Sequence, residues 1–552
     1  MLHFLKQSRL LKLIEQEEPG SLKRLGLRSL LAGLLQAATL YAIVQGLQKL
    51  TEEQAPVRHL LIFVISVSAF FIVSRSVLVR VTQLTLASIL SIRMRIASRL
   101  RAVNLAAHEA LPMTRVQSAL LDEQSLVLEA ARLLVVVLYS SVMIAVSLIQ
   151  ALIISPMGAV YILVVLASCV STLLYLHKSI LSEMQESTAA DQGFCASLSD
   201  LMGGYHELKL SRNKTSDLFQ NHIENKHREA IRTRNLMEDR YANGLAFFAA
   251  LAFIAVGIIL FTLPIIVPDL PAEKITPLVM LAMAIVTPMT SFVTFIPSFA
   301  KSEGALSELI AVEQMLQEVE EEFEADDAEM VWPERSSPEI EFEQLSIANA
   351  SFCYAEIDPQ SNFSIHIKEF SLKKGELVFL CGGNGSGKTT FMTLLSGLYS
   401  SSEGTVTVNG RSIDDVGNEA YRNLFSLIAP EPYLFPVLLA RKDGDIDRGN
   451  QLLAEVQLSK VRIDQRGRYS TTALSAGQRK RLALANALLE DRPIMLFDEV
   501  AADFDPEYRE HFYRTILPEL KKQGKTIVVI SHDDRYFDLA DRLLHMQDGQ
   551  FV

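Results

Sequence analysis

Every run of this chain long enough to cross about 30 Å of hydrocarbon lies before residue 301, and none lies after it. Six such runs are read, at roughly 25 to 48, 57 to 79, 132 to 154, 157 to 177, 243 to 267 and 275 to 299. One apolar run is compatible with a buried soluble helix, but six in series are not. The chain has 552 residues, 49% of them hydrophobic, with a mean hydropathy of +0.23, so it is too long for one domain and too apolar for an ordinary soluble one. Two regions of different solvent follow: an all-α six-span membrane region, then a water-soluble domain.

Lysine and arginine set the orientation. The N-terminal segment carries Lys6, Arg9, Lys12, Lys23, Arg24 and Arg28, whereas the turn Ser155-Pro156-Met157-Gly158 carries no charge and reads as external. The connections from about 80 to 131 and 178 to 242 are polar, helical in pattern and arginine-rich, with Arg93, Arg95, Arg99, Arg101, Arg228, Arg232 and Arg234. Those connections are read as cytoplasmic, with both termini inside. Residues 2 to 14 mix Leu2, Phe4, Leu5, Leu10, Leu11, Leu13 and Ile14 with basic positions, a pattern of an interfacial helix rather than a cleavable signal. About 24 residues precede the first span, too few for an N-terminal peptidase. An acidic run, Glu318 to Glu329, followed by Trp332-Pro333 and Ser336-Ser337-Pro338, reads as a linker and accounts for much of the net charge of −12. The expected domains are 1–24 (interfacial helix), 25–312 (six spans with long cytoplasmic extensions), 313–340 (linker) and 341–552.

The soluble domain opens on chemistry. Gly382-Gly383-Asn384-Gly385-Ser386-Gly387-Lys388-Thr389 fits the P-loop pattern, in which glycines let backbone N–H groups fold around phosphates and a lysine neutralises their charge. Thr389 would add a hydroxyl to Mg²⁺. Ile494-Met495-Leu496-Phe497-Asp498-Glu499 reads as a buried strand delivering a metal-binding carboxylate, Asp498, and a general base, Glu499. The four cysteines, Cys169, Cys195, Cys353 and Cys381, show neither a disulfide framework nor metal-ligand spacing, and Cys381 reads as a packed small residue. There is no internal repeat and no nucleic-acid-binding motif.

Between those motifs stands Leu474-Ser475-Ala476-Gly477-Gln478, followed by Arg479-Lys480-Arg481, and the whole set resembles the ATP-binding cassette (ABC) proteins. The resemblance implies an α/β P-loop ATPase cassette behind an exporter-type membrane region, using ATP and Mg²⁺. It also implies a homodimer in a lipid bilayer with two shared nucleotide sites. Nucleotide contacts would come from Tyr354, which matches the aromatic that stacks on adenine, from the P-loop residues with Thr390, and from Ser475, Gly477 and Gln478 of the other chain. Phe352, or Tyr354 as a plain core tyrosine, is the alternative at the adenine position. His532 matches the switch histidine, and Asp505-Pro506 the loop that communicates between cassettes.

Two departures stand out. Ala476 occupies a position that is usually glycine, and Pro430 falls where the family carries a metal-sensing glutamine, with Glu431 beside it as a substitute ligand. The stretch from Phe435 to Leu474 is also short for a helical subdomain. Those departures, with Ala501-Ala502-Asp503-Phe504-Asp505-Pro506 and Ser531-His532-Asp533-Asp534-Arg535-Tyr536-Phe537, are similar to the cyclic peptide and siderophore-peptide export family. That implies a half-size exporter of a cyclic or modified peptide at a bacterial inner membrane. A lipid or lipid-linked precursor flippase and a general multidrug exporter are the alternatives, and a periplasmic or outer-membrane partner is left open. The docking regions toward the cassette are expected near His108 to Arg115 and near Gly203 to Arg212. Arg75 and Arg132 are the notable charges in the spans, more in keeping with snorkelling than with substrate contact. No acidic residue lies in the central parts of the spans, which points away from a strongly cationic substrate. Pro264, Pro277, Pro288 and Pro297 would kink spans five and six.

Overall fold

The computed structural model describes residues 8–51, 55–121, 124–268, 271, 274–322, 340–354 and 363–552. Residues 2–7 of the expected interfacial helix and residues 323–339 of the expected linker lie outside the described residues. The chain divides into two compact units, Met1–Ile96 with Thr114–Met315, and Ala97–Met113 with Leu316–Val552.

The first unit is helical, and among the described residues six helices are long and apolar enough to cross a membrane: Ser21–Leu50, Val57–Ala102, Ser125–Ile154, Pro156–Tyr175, Arg212–Ile266 and Ile275–Val319. They enclose four of the six expected spans and cover the other two, 157–177 and 243–267, to within two residues of their ends. Several run far beyond a bilayer, as the arginine-rich connections suggested. Val57–Ala102 has 46 residues, which at about 1.5 Å per residue makes a rod roughly 70 Å long, twice the hydrocarbon thickness. Close approach between helices uses glycine: a Cβ on Gly33 would lie 2.5 Å from the Tyr139 carbonyl, and one on Gly158 2.7 Å from Leu278. At the uncharged turn, Ser155 Oγ accepts from Gly158 N at 3.2 Å and Pro156 occupies the first turn, so a sharp helix start is encoded in four residues.

The prolines act unequally. Pro288 and Pro297 sit inside the continuous helix Ile275–Glu322, whereas Pro264 opens the short helix Leu263–Ile266 after a π-helical stretch, Ile258–Thr262. The latter relieves the lost backbone bond by widening the turn before it.

The helix Arg9–Glu17 buries Leu10, Leu13 and Ile14 against protein, so the apolar side that would suit a lipid surface is covered. Its N-terminus is held by Glu303 of Ile275–Glu322, whose carboxylate accepts from Ser8 Oγ at 2.6 Å and from the N–H groups of Arg9 and Leu10 at 3.1 and 3.2 Å. A carboxylate there satisfies free helix N–H groups and meets the positive end of the dipole.

The second unit is an α/β domain with two sheets. A six-stranded sheet has the order β10-β9-β3-β8-β7-β6, where β3 is Leu377–Gly382, β6 Phe425–Ile428, β7 Ile494–Asp498, β8 Thr526–Ile530, β9 Arg542–Gln547 and β10 Gln550–Phe551. All of its neighbouring pairs are parallel except β9 with β10. β7 and β8 are buried at every position, as a strand covered on both faces requires. A four-stranded antiparallel sheet, order β2-β1-β4-β5, is built from β1 (Gln344–Cys353), β2 (Ser364–Lys373), β4 (Glu403–Val408) and β5 (Arg411–Ser412). Between Phe435 and Leu474 the chain forms one helix, Asp445–Glu455. Residues 97–113 belong to this unit: Asn104 caps the helix Leu105–Ala110 by accepting from Ala107 N at 2.8 Å, and Ala106 is buried in the core with Phe352, Tyr399 and Leu395.

Glu303→Ala removes three hydrogen bonds from one helix start. We expect a loss of about 1 to 2 kcal/mol of local stability, read as faster proteolysis at the turn Glu18–Gly20 in the purified protein while the core of the second unit resists cleavage.

Candidate functional site

Strands β3, β7 and β8 end side by side, with Leu380 opposite Ile530 and Ile530 opposite Asp498. Each strand therefore delivers its following loop to one edge of the sheet. From β3 comes the P-loop, from β7 Asp498 and Glu499, and from β8 Ser531 and His532.

The P-loop glycines have distinct steric reasons. Gly382 has φ +153° and a Cβ there would lie 2.2 Å from the Met546 carbonyl, while Gly387, at φ +103°, would strike Ile365. Lys388 opens the helix Lys388–Leu395, which has no side-chain cap, so its first N–H groups face the loop. The Lys388 ammonium is buried and donates to the carbonyls of Gly382 and Gly383 at 3.0 and 2.8 Å. Ser386 Oγ, also buried, has no hydrogen-bond partner. Thr390 is buried beneath the loop, and Gly383, Asn384 and Gly385 form its tip. Cys381 donates its thiol to the Leu544 carbonyl at 3.4 Å and burial raises its pKa, in keeping with a packed, unreactive side chain.

Asp498 is 2% exposed, and its Oδ1 has no partner. Burial pushes its carboxyl above the usual carboxylate range, while a hydrogen bond with the Thr389 side chain pulls the other way. An orphaned carboxylate oxygen beside a threonine hydroxyl suits a hard cation that takes oxygen ligands, so the residues present fit Mg²⁺. Glu499 follows with φ +48°, its N–H bonded to the Ile530 carbonyl at 3.2 Å, and its Oε1 lies 3.1 Å from His532 Nε2. Both side chains are partly exposed at the open edge of the site.

Two further groups surround this edge. Arg509 donates to the carbonyls of Ala501, Ala502 and Phe504 at 3.1, 3.0 and 3.1 Å, fixing the loop after Glu499. The Arg535 guanidinium, bonded to Asp533 at 2.8 and 2.6 Å, holds that carboxyl below its ordinary range. Asp505 caps the helix Pro506–His511 through Tyr508 N at 2.9 Å and pairs with Arg481, which also stacks on Tyr508 at 3.7 Å.

Ser475 and Gln478 form a reciprocal cap on the helix Ala476–Glu490, with Gln478 N donating to Ser475 Oγ at 3.4 Å and Ser475 N to Gln478 Oε1 at 3.1 Å. Ala476 is the first helical residue, so its methyl group costs nothing in backbone strain. Gly477 is different: a Cβ there would lie 2.5 Å from the Asp503 carbonyl. Glu431 is exposed in the bend that follows β6, next to Pro430.

Tyr354, directly after β1, lies in an aromatic cluster, edge-on to Phe352 and Tyr399, with its hydroxyl 3.2 Å from that of Tyr399. Phe352 is 2% exposed and stacks on Tyr399 at 4.2 Å, which makes it core and leaves Tyr354 as the outer ring. Tyr399 in turn donates to Glu109 at 2.6 Å. Sequence reasoning missed Tyr399, Glu109, Lys480 and Arg509. Tyr399 and Glu109 carry no local signal, because their partner lies 290 residues away.

Residues 365–502 match the family model for the ABC transporter. A helical region with six apolar helices among the described residues, followed by an α/β domain that matches this family model, is consistent with an ABC exporter fold. The chain is 36% identical over 301 residues to the ATP-binding protein SyrD of Pseudomonas syringae pv. syringae, covering 54% of this chain and 53% of that protein. It is also 26% identical over 415 residues to the ATP-dependent lipid A-core flippase of Photorhabdus laumondii subsp. laumondii (71% and 67% covered). The flippase of that name from Vibrio parahaemolyticus is 30% identical over 221 residues (38% and 37% covered). These matches span between about a third and two thirds of the relatives' own length.

The contrast between Ala476 and Gly477 is testable by thermal unfolding. Gly477→Ala must displace the backbone at Asp503 and is expected to cost about 1 to 3 kcal/mol. Ala476→Gly is expected to cost less than about 1 kcal/mol.

Proposed function

We propose that the protein is a half-size ABC exporter, working as a homodimer, that hydrolyses ATP to move a cyclic or modified peptide out of the cytoplasm across a bacterial inner membrane. Antimicrobial peptides, lipopeptides and peptide siderophores are the substrate classes in view. Lys388 and the amides of Gly383 to Thr389 bind the β- and γ-phosphates, and Tyr354 stacks on the adenine. Thr389 and Asp498 hold Mg²⁺, with Glu431 as a further ligand in place of the usual glutamine. The ion supplies charge neutralisation at the phosphates. Glu499 is the general base for the attacking water, and His532, 3.1 Å away, fixes its carboxylate and reaches the γ-phosphate.

The second cassette completes the site. The reciprocal cap consumes Ser475 N and Gln478 N, leaving the Ala476 and Gly477 N–H groups, which no helical turn can satisfy, for a phosphate bound to the other chain. Asp505 sits on the loop that carries the state of one site to the other. Closure of the two cassettes on ATP would draw the inner helix ends together and turn the six-span region to face outward, and hydrolysis would reset it. Both termini lie on the cytoplasmic side.

The observation that carries the peptide reading is the stretch after β6. There Pro430 and Glu431 replace the sensing glutamine and a single helix, Asp445–Glu455, stands where a larger subdomain is usual. A lipid or lipid-linked precursor flippase is the second reading, favoured by the two relatives named as lipid A-core flippases.

Glu499→Gln is expected to retain Mg²⁺-dependent ATP binding and lose at least about a hundredfold in turnover. Near wild-type turnover would remove Glu499 as the base. In lipid nanodiscs, saturable stimulation of ATPase activity by a cyclic peptide, lipopeptide or peptide siderophore is the outcome expected of the exporter. A response to lipid composition alone would favour the flippase.

A further inference from the structure

The helix that starts at Ala476 carries a lysine that the proposed mechanism leaves unused. Lys480 is 4% exposed, and its ammonium donates to the backbone carbonyl of Glu499 at 2.8 Å and pairs with Asp503 Oδ2 at 2.7 Å. A buried ammonium is expensive unless fully partnered, and both partners here come from one five-residue segment, Glu499 to Asp503.

That segment begins in a costly conformation. Glu499 holds φ +48°, a left-handed backbone that a residue with a Cβ adopts only when its surroundings enforce it. Two bonds do so: its N–H is tied to the Ile530 carbonyl on β8 at 3.2 Å, and its C=O is tied to Lys480. With both peptide groups fixed, the carboxylate is directed toward His532. At the start of the same helix Gly477 packs directly under the Asp503 carbonyl. The helix N-terminus and the Glu499–Asp503 segment are therefore joined at two points and cannot shift independently.

We propose that Lys480 is a positioning residue that couples the helix start at Ser475–Gly477 to Glu499 of the same chain. On the ATPase reading above, on which this rests, the helix start receives the γ-phosphate of the nucleotide held by the partner's P-loop. Lys480 then makes the aim of each chain's own base depend on whether the opposite site is filled. Arg481, one residue on, serves a different segment through Asp505 and Tyr508, so the two basic residues are not redundant.

The test uses the full-length protein in nanodiscs, with kcat and KM for Mg²⁺-ATP, nucleotide affinity and melting temperature measured on each variant. Lys480→Met keeps the length of the side chain and removes the donor; it is expected to lower kcat on the order of tenfold with ATP affinity within about twofold of wild type. Lys480→Arg, which retains a cationic donor, is expected to recover most of the loss. In a Glu499→Gln background Lys480→Met should lower turnover no further, because it acts through Glu499. A kcat within about twofold of wild type, an equal fall in the Glu499→Gln background, or a loss confined to affinity or melting temperature would each overturn the proposal. Should Lys480→Met fail to fold, Asp503→Asn decides: kcat falling severalfold at constant KM supports the coupling, and unchanged kcat refutes it. Near wild-type turnover in Glu499→Gln alone would instead strike at the base assignment itself.

Discussion

The parallel register of β3, β8 and β7 is the constraint on which the site depends. Leu380, Ile530 and Asp498 stand level across three adjacent strands, so the loops that follow them meet at the carboxyl edge of the sheet, where open α/β sheets bind ligands. A slip of one residue in any of these pairings would turn Asp498 or the P-loop away from the common edge. Burial on both faces prevents that slip. Every residue of β7 and β8 is packed, and the cost of exposing the four apolar positions of either strand far exceeds anything the loops could return.

The same core holds a segment from far up the chain. The helix Leu105–Ala110 places Ala106 in the apolar cluster behind β1 and presents Glu109 to Tyr399, whose hydroxyl meets that of Tyr354. Burial and the bond to Glu109 both keep the Tyr399 phenol protonated and donating, so the order of donors along this chain is fixed. The ring proposed to stack on adenine is thus in hydrogen-bonded continuity with the helix Leu105–Ala110 of the same unit. That arrangement has a direct physical meaning: a nucleotide that reorients Tyr354 must disturb the hydroxyl pair, and the carboxylate at its far end is part of the same network.

Much of this was legible in the sequence, because the informative residues are local. Apolar run length alone located the six helices, and glycine spacing with a lysine located a loop that only glycines can fold. What the sequence hid is whatever depends on distant pairing. An amphipathic helix such as Arg9–Glu17 reads identically whether its apolar side meets lipid or protein, and only the position of Glu303 decides between them. Nothing near residue 109 marks Glu109 as a partner of Tyr399. Nothing in Leu474-Ser475-Ala476-Gly477-Gln478 discloses that Gly477 is required by the Asp503 carbonyl while Ala476 is free to carry a methyl group.

The site also shows why its polar groups stay available. Asp498 and Ser386 are buried with oxygen atoms that no protein group satisfies, an arrangement that folding alone disfavours by roughly 1 to 3 kcal/mol for each group. Other buried hydroxyls of this domain do find partners within the chain, as Tyr421 does with the Leu395 carbonyl and Tyr513 with Ser531, whereas that of Tyr508 does not. The Ser386 and Asp498 oxygens, on neighbouring loops, are a reservoir that an oxygen-seeking cation and a phosphate would discharge together. Binding free energy is thereby largest where the two ligands arrive as one unit, which is how a nucleotide with its metal differs from either alone.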